Sequence, residues 1–173
     1  GVSIVVITVA ALTGTLKIGE AISGFANSAI WLIVGAFLFS RGFIKTGLGK
    51  RIAYNLIAAF GSSSLRLSYA LALSDLILAP ATPSNTARVG GVIMPITTSL
   101  AKAFGSEPQD GPRKIGSFLM QSIYQVNTIT SAMFQTSMAG NTLVAALALQ
   151  SFGIGITWGD WAIAAIVPGI IAL

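Results

Sequence analysis

SDLILAPATPSNTARVGGVIM, residues Ser74–Met94, is the stretch on which the fold turns. The apolar run LSYALALSDLILA (Leu67–Ala79) leads into it, and VGGVIMPITTSLAKAF carries an apolar run on to Phe104. Between the two stand Pro80, Pro83 and the polar tripeptide Ser84-Asn85-Thr86. The first run has 13 residues, a helical rise of roughly 20 Å. A bilayer's hydrocarbon core is about 30 Å thick, so this run is too short to cross it. Proline lacks an N–H and disfavours helical geometry in the residue before it, so the helix stops here. Ser84 or Asn85 can then cap a new helix through a side-chain oxygen. The economical reading is a re-entrant hairpin over 66–104 that enters a membrane and returns to the same side. Irregular backbone at mid-depth needs protein or a cavity around it.

Composition agrees with a membrane. The chain has 173 residues, 54% hydrophobic and only 9% charged, with a mean hydropathy of +0.82. So few charges over so many apolar segments predict an all-α polytopic membrane protein. The net charge of +5 does not point to nucleic acid, because the basic residues flank apolar segments and form no stripe. Cysteine and histidine are absent, which excludes disulfides, thiolate or imidazole metal sites and histidine catalysis. No charged segment precedes an apolar one at the first residue, so no signal peptide is read. Both ends fall inside apolar segments (GVSIVVITVA and AIAAIVPGIIAL), as expected of a piece of a longer protein.

Taken in order, residues 1–48 are expected to hold scaffold transmembrane helices. One ends over Val2–Leu12; the next crosses from Ser28, its N-cap, through Ser40 toward Thr46, with Trp31 near an interface. Arg41, Lys45, Lys50, Arg51 and Arg66 then fall within 26 residues that contain no acid. The positive-inside rule makes this segment cytoplasmic. Within it, 49–65 reads as an interfacial helix built on Ile52–Phe60, too short to span. Lys102, Arg113 and Lys114 place basic residues after the hairpin as well, so both its flanks lie on one side. Residues 113–151 read as a broken transmembrane helix. Ile115–Gln150 is 36 residues, about 54 Å if continuous, so a break is expected near Ser137–Asn141. Ser151–Asp160 carries no Lys or Arg and belongs outside. Trp158 and Trp161 mark the interface, and 158–173 opens a further transmembrane helix that the sequence truncates.

Two polar interruptions therefore stand out: Ser84-Asn85-Thr86 and Gly140-Asn141-Thr142. Each sets Asn-Thr at the start of a half-helix, where unpaired N–H groups and about half a positive charge favour anions. The carbonyls of Leu78–Pro80 could face a cation. Broken helices arranged in this way are how secondary transporters build their sites; the plainer alternative is that these residues only cap breaks made for packing. Arg88 falls about one turn from Asp75 across the hairpin. It either pairs with Asp75 inside the hairpin or lends fixed positive charge to the anion site in place of a coupling cation. Gly47 and Gly49 lack the spacing of a phosphate loop, and Gly90-Gly91 is expected to allow close packing.

The string APATPSNTARVGGVIMPI, with GFANSAIWLIVGAFLFSRGFIKTGLGKRIA before it and KIGSFLMQS and TSAMFQTSMAGN after it, resembles the divalent anion/sodium symporter (DASS) family. It is similar above all to the family's bacterial citrate, tartrate and succinate exchangers and its plastid 2-oxoglutarate/malate translocators. The resemblance covers nearly the whole chain. It implies one inverted-repeat half of an elevator-type homodimer, completed by a second repeat of the same protein. It also implies that Asn85 and Thr86 contact the substrate carboxylate. In sodium-coupled members Ser84, Asn85, Ser137 and Asn141 would line a sodium site. Here the family's glycine-threonine-proline-proline-asparagine loop reads Ser137-Met138-Ala139-Gly140-Asn141, with only the Asn in common.

The expectation is a secondary transporter of di- and tricarboxylate anions, working by exchange, with Ser84, Asn85, Thr86, Arg88, Asn141 and Thr142 at the substrate site. Sodium-coupled symport is the alternative, and an intramembrane enzyme, a channel or a structural membrane subunit are the readings from other classes. No cofactor is expected beyond sodium as a coupling ion, and no nucleic-acid partner. The setting is a lipid bilayer, the bacterial inner membrane or a plastid envelope.

Overall fold

Helix after helix forms wherever the apolar runs are free of proline, and glycine or proline marks each change of direction. A computed structural model describes residues 1–61, 63–107 and 114–173, with side chains except at 28, 29 and 43. Among the described residues the regular elements are all helical, without a strand. They are α1 (Val2–Leu12), α2 (Ile18–Ala21), α3 (Ser28–Thr46), α4 (Leu48–Phe60), α5 (Ser64–Leu78), α6 (Asn85–Arg88), α7 (Met94–Ala103), α8 (Ile115–Met133), α9 (Ala139–Phe152) and α10 (Trp158–Ala172). Short 3-10 turns cover Ser23–Ala26, Ala79–Ala81 and Gln135–Ser137, and a π-helical segment, Val89–Ile93, joins α6 to α7.

α3 runs on to Thr46, as its sequence requires for a crossing. Gly47 ends it with a φ of +69°, and its N–H closes on the Ile44 carbonyl. A left-handed residue at that point suits glycine because it has no Cβ. α4 leaves at 59° to α3. Among the described residues no single helix is long and apolar enough to cross a membrane, and the bent pair Ile30–Thr46 with Leu48–Phe60 meets that test together.

The expected interfacial helix over 49–65 resolves into α4 and the first residues of α5. Ser63 caps α5 by accepting the Arg66 N–H at 3.4 Å, so the helix starts at Ser64, two residues before the expected hairpin boundary. α4 packs on the hairpin. A Cβ on Gly49 would stand 3.2 Å from both methyls of Val92 and 3.5 Å from Leu78. Gly91 likewise faces Ile44 at 3.5 Å, whereas Gly90 meets nothing within 4 Å. The buried core draws Ala53 from α4, Leu67, Leu71 and Leu78 from α5, Val92, Ile93 and Ile96 from the second arm, and Leu119 and Ile123 from α8. In lipid such a core is held by close contact more than by exclusion of water. The outward faces of α1, α3 and α10 carry exposed apolar residues such as Val2, Leu38, Ile163 and Ile171, surfaces suited to lipid or protein.

Two helices joined by a turn, and two more separated by a short interruption, occupy these stretches. α5 ends at the two prolines, and the second arm is helical from Asn85 to Ala103 through the π segment. α8 has the bounds read from the sequence, but the break comes earlier than expected. Phe134 and Met138 are extended and flank the 3-10 turn, so the interruption is Phe134–Met138 and α9 starts at Ala139. Gly140 is helical, and Asn141 lies in the first turn instead of at the break. Arg113 of the second basic cluster, and the side chain of Ser28 as a cap, lie outside the described residues.

Candidate functional site

At the hairpin tip the chain must satisfy the first N–H groups of a new helix. Ser84 does so in an extended conformation, its Oγ accepting the Ala87 N–H at 3.2 Å. Asn85 Oδ1 accepts the Thr86 N–H at 2.8 Å and stands 3.5 Å from Thr86 Oγ1. Ser84 and Asn85 are half-buried, and Thr86 is exposed. Asn85 thus spends its acceptor locally, and its Nδ2 amide group makes no hydrogen bond among the described residues.

One turn further, Arg88 is fully buried. A guanidinium has five N–H donors, and each has an acceptor here. Nε donates to Asp75 Oδ1 at 2.8 Å. Nη1 donates to the carbonyls of Thr82 at 3.2 Å and Ser137 at 3.3 Å. Nη2 donates to Thr130 Oγ1 at 3.2 Å and Ser131 Oγ at 3.1 Å. Arg88 therefore ties α5, the hairpin turn, α8 and the break to one planar group, and the pairing with Asp75 is present. No N–H of Arg88 is left for a direct grip on a bound anion in this arrangement.

The break is built from the same kind of bonds. Asn141 Nδ2 reaches back to the carbonyls of Ser131 at 2.7 Å and Phe134 at 3.0 Å. Ser137 Oγ donates to the same two carbonyls, and Thr142 Oγ1 donates to Gln135 O at 3.2 Å. These side chains fill the acceptors that the end of α8 leaves open. Among the described residues no buried side-chain polar atom lacks a partner.

The hairpin turn and the break meet. Arg88 contacts Ser137, and Thr136 Oγ1 donates to the Pro80 carbonyl at 2.7 Å while accepting from Trp158 Nε1 at 3.0 Å. Among the described residues no hydrogen bond joins Asn85 or Thr86 to Asn141 or Thr142, so Arg88 and Thr136 carry the junction. A cavity of about 680 Å³ lies beside the break, lined in part by Leu32, Gln135, Thr142, Leu149 and Ile156. Of the residues read as site candidates only Thr142 lines it.

For sodium the fit is poor in this geometry. Ser84 Oγ caps the tip, the Ser137 carbonyl faces a guanidinium, and Asn141 turns its amide N–H groups to the α8 carbonyls. A second cation there would meet Arg88 at close range. The carbonyls around Pro80 and Thr82 already accept from Thr136 and Arg88.

Sequence reasoning passed over Asn127, Thr130, Ser131 and Thr136. Asn127 donates to Asp75 Oδ2 at 3.4 Å, and Thr130 Oγ1 donates to the same oxygen. The trace was there: 127, 130 and 131 follow the i, i+3, i+4 spacing of one helical face in an otherwise apolar helix.

The whole chain, residues 1–173, matches the family model described as the sodium:sulfate symporter transmembrane region. It is 58% identical over 173 residues, 99% of the chain and 36% of the relative, to YflS of Bacillus subtilis strain 168, whose name assigns it provisionally to malate transport. It is 51% identical over 163 residues, 94% of the chain and 29% of the relative, to the chloroplastic dicarboxylate transporter 1 of Spinacia oleracea. To an L-tartrate/succinate antiporter of Escherichia coli strain UTI89 it is 47% identical over 142 residues, 82% of the chain and 29% of the relative. The chain thus spans about a third of the length of the curated relatives it matches.

Proposed function

The chain belongs to the sodium:sulfate symporter family, and from that premise we propose that the whole protein is a secondary transporter of di- and tricarboxylate anions that works by exchange. The relatives support the substrate class, being named for malate, dicarboxylates and tartrate/succinate, and one of them is an antiporter. The observation that carries the exchange reading is Arg88. Its Nη1 lies on the Thr82 and Ser137 carbonyls, where a coupling cation would otherwise join hairpin and break. A guanidinium built into the chain bridges hairpin and break with no ion to be carried in.

In this reading α5 through α7 form a re-entrant hairpin, and α8 with α9 forms a broken transmembrane helix. Both belong to the first of two inverted repeats in an elevator-type homodimer, with α1 and α3 in the scaffold and α4 near the cytoplasmic interface. A carboxylate meets Asn85 Nδ2, the Thr86 hydroxyl and the start of the second arm, with Ser84 shaping the turn. Asn141 and Thr142 hold the facing half-helix in place beside it, and Arg88 fixes the two halves together. The protein makes and breaks no covalent bond in this role; it is a carrier, set in a bacterial inner membrane or, as for the chloroplastic relatives, a plastid envelope.

Sodium-coupled symport is the second reading, favoured by the family's own description. It would use Ser84, Asn85, Ser137 and Asn141. Counterflow separates the two. The full-length protein in proteoliposomes should take up labelled malate without a sodium gradient, and internal succinate should stimulate that uptake several-fold. Uptake that depends on external sodium and ignores internal dicarboxylate would overturn exchange. A linear, non-saturating flux would point to a channel instead.

A further inference from the structure

Asp75 is the buried ionisable group that exchange leaves without a task. It is 1% exposed, near the end of α5. An arginine and a carboxylate commonly meet as a two-bond fork, but here the fork is split. Oδ1 takes the Arg88 Nε–H alone, and Oδ2 is held by Thr130 Oγ1 and Asn127 Nδ2 on α8. Both Nη groups are thereby left for the hairpin turn, the break and α8. The pair lies one turn behind Asn85 and carries no net charge, so an anion at the tip faces Arg88 through a nearby opposing carboxylate.

We propose that Asp75, oriented by Thr130 and Asn127, is a positioning and specificity-determining residue: it aims Arg88 at the break and cancels its charge, so that the half-site selects anions by their charge. The proposal rests on the carboxylate-transport reading. Buried charges are weakly screened, so removing the Asp75 charge leaves a net positive group behind the anion, and removing the Arg88 charge leaves a net negative one. Each change acts on a trianion more strongly than on a dianion.

The test measures binding of succinate and of citrate to the purified full-length protein by titration calorimetry, at a pH where citrate is the trianion. Asp75→Asn should tighten succinate binding about tenfold and citrate binding more. Arg88→Gln should weaken both, citrate again the more, and the double variant should return toward the parent. Asn127→Asp adds a carboxylate beside Oδ2 and should weaken binding like Arg88→Gln, which keeps the proposal testable if Asp75→Asn does not fold. Size-exclusion elution of each variant as the parent species establishes folding. Shifts of the same sign for Asp75→Asn and Arg88→Gln, or shifts indifferent to substrate charge, would overturn the proposal, as would an Asn127→Asp variant that binds like the parent. Loss of counterflow with these binding shifts intact would sink exchange alone; a parent that binds neither anion would sink both.

Discussion

At the scale of single residues, two asparagines at the heads of half-helices put their amide donors to different uses. Asn85 and Asn141 look alike in the sequence, each before a Thr at the head of a half-helix. The structure separates them: Asn85 keeps its amide donors, whereas Asn141 spends them on Ser131 and Phe134. Asn85→Ala in the full-length protein should therefore abolish or greatly weaken carboxylate uptake while leaving the protein folded, checked by size exclusion beside the transport assay; near-normal uptake would reduce Asn85 to a cap. Asn141→Ala should act on stability first. It removes the amide bonds to the Ser131 and Phe134 carbonyls, which keep only those from Ser137, at a cost of about 1–3 kcal/mol, read as a fall in melting temperature. Asn141→Asp should not rescue it, because a carboxylate offers no donor to a carbonyl. The Asp75–Arg88 pairing, one of two readings that the sequence leaves open because an intramembrane charge needs a partner, is present. Its further partners on α8 did not follow, because only the fold decides which face of α8 meets the hairpin.

At the scale of elements, the legible features were those set by local chemistry. Two prolines stop α5, Ser84 starts the next arm, and α8 runs from Ile115 to Met133 as its apolar pattern requires. Length alone sets the break near Ser137–Asn141, whereas the extended residues are Phe134 and Met138. Phe134 stacks on Trp158 with ring centroids 5.9 Å apart, a contact far off in sequence. The π segment after Arg88 left no local mark beyond Gly90-Gly91; such insertions gather at functional sites, and this one directly follows the hub. Two glycines make sharp tests of the packing. Gly47→Ala forces a Cβ into a φ of +69° and should cost about 1–2 kcal/mol, seen as a lower melting temperature. Gly169→Val brings a Cβ to 2.6 Å from Met133 Cγ, and Met133 is buried, so the α8–α10 contact must open. A loss of about 1–3 kcal/mol is expected. An unchanged melting temperature would mean that α10 does not pack on α8 in the full protein.

At the scale of the whole molecule, charge and length together argue for one orientation in the membrane. Arg41, Lys45, Lys50 and Arg51 lie from the end of α3 into α4, and Lys102 and Lys114 flank the loop between α7 and α8. The connection from α9 to α10, by contrast, has no basic residue and is closed by a Thr157–Asp160 capping box. We propose that the first two regions are cytoplasmic and the third lies outside, the arrangement that the positive-inside rule favours. The proposed distribution returns the path from α4 to α8 to its starting side, and a 15-residue α5, rising about 22 Å, suits a re-entrant arm in that arrangement. In the same proposal α8 and α9 together complete a crossing, with the Phe134–Met138 break inside the membrane and its backbone satisfied by Arg88, Ser137 and Asn141. The chain contains no cysteine, so single cysteines introduced on a background free of others report position directly. Cysteines at Lys50 and Gly105 should label with a membrane-impermeant maleimide only from the cytoplasmic face, and one at Gly155 only from the opposite face. Gly105 lies just past the end of α7, so it reports where the hairpin returns. Labelling of Lys50 and Gly105 from opposite faces would make the hairpin a pair of unequal crossings. It would also move the tip residues Ser84-Asn85-Thr86 out of mid-membrane, and the anion site with them.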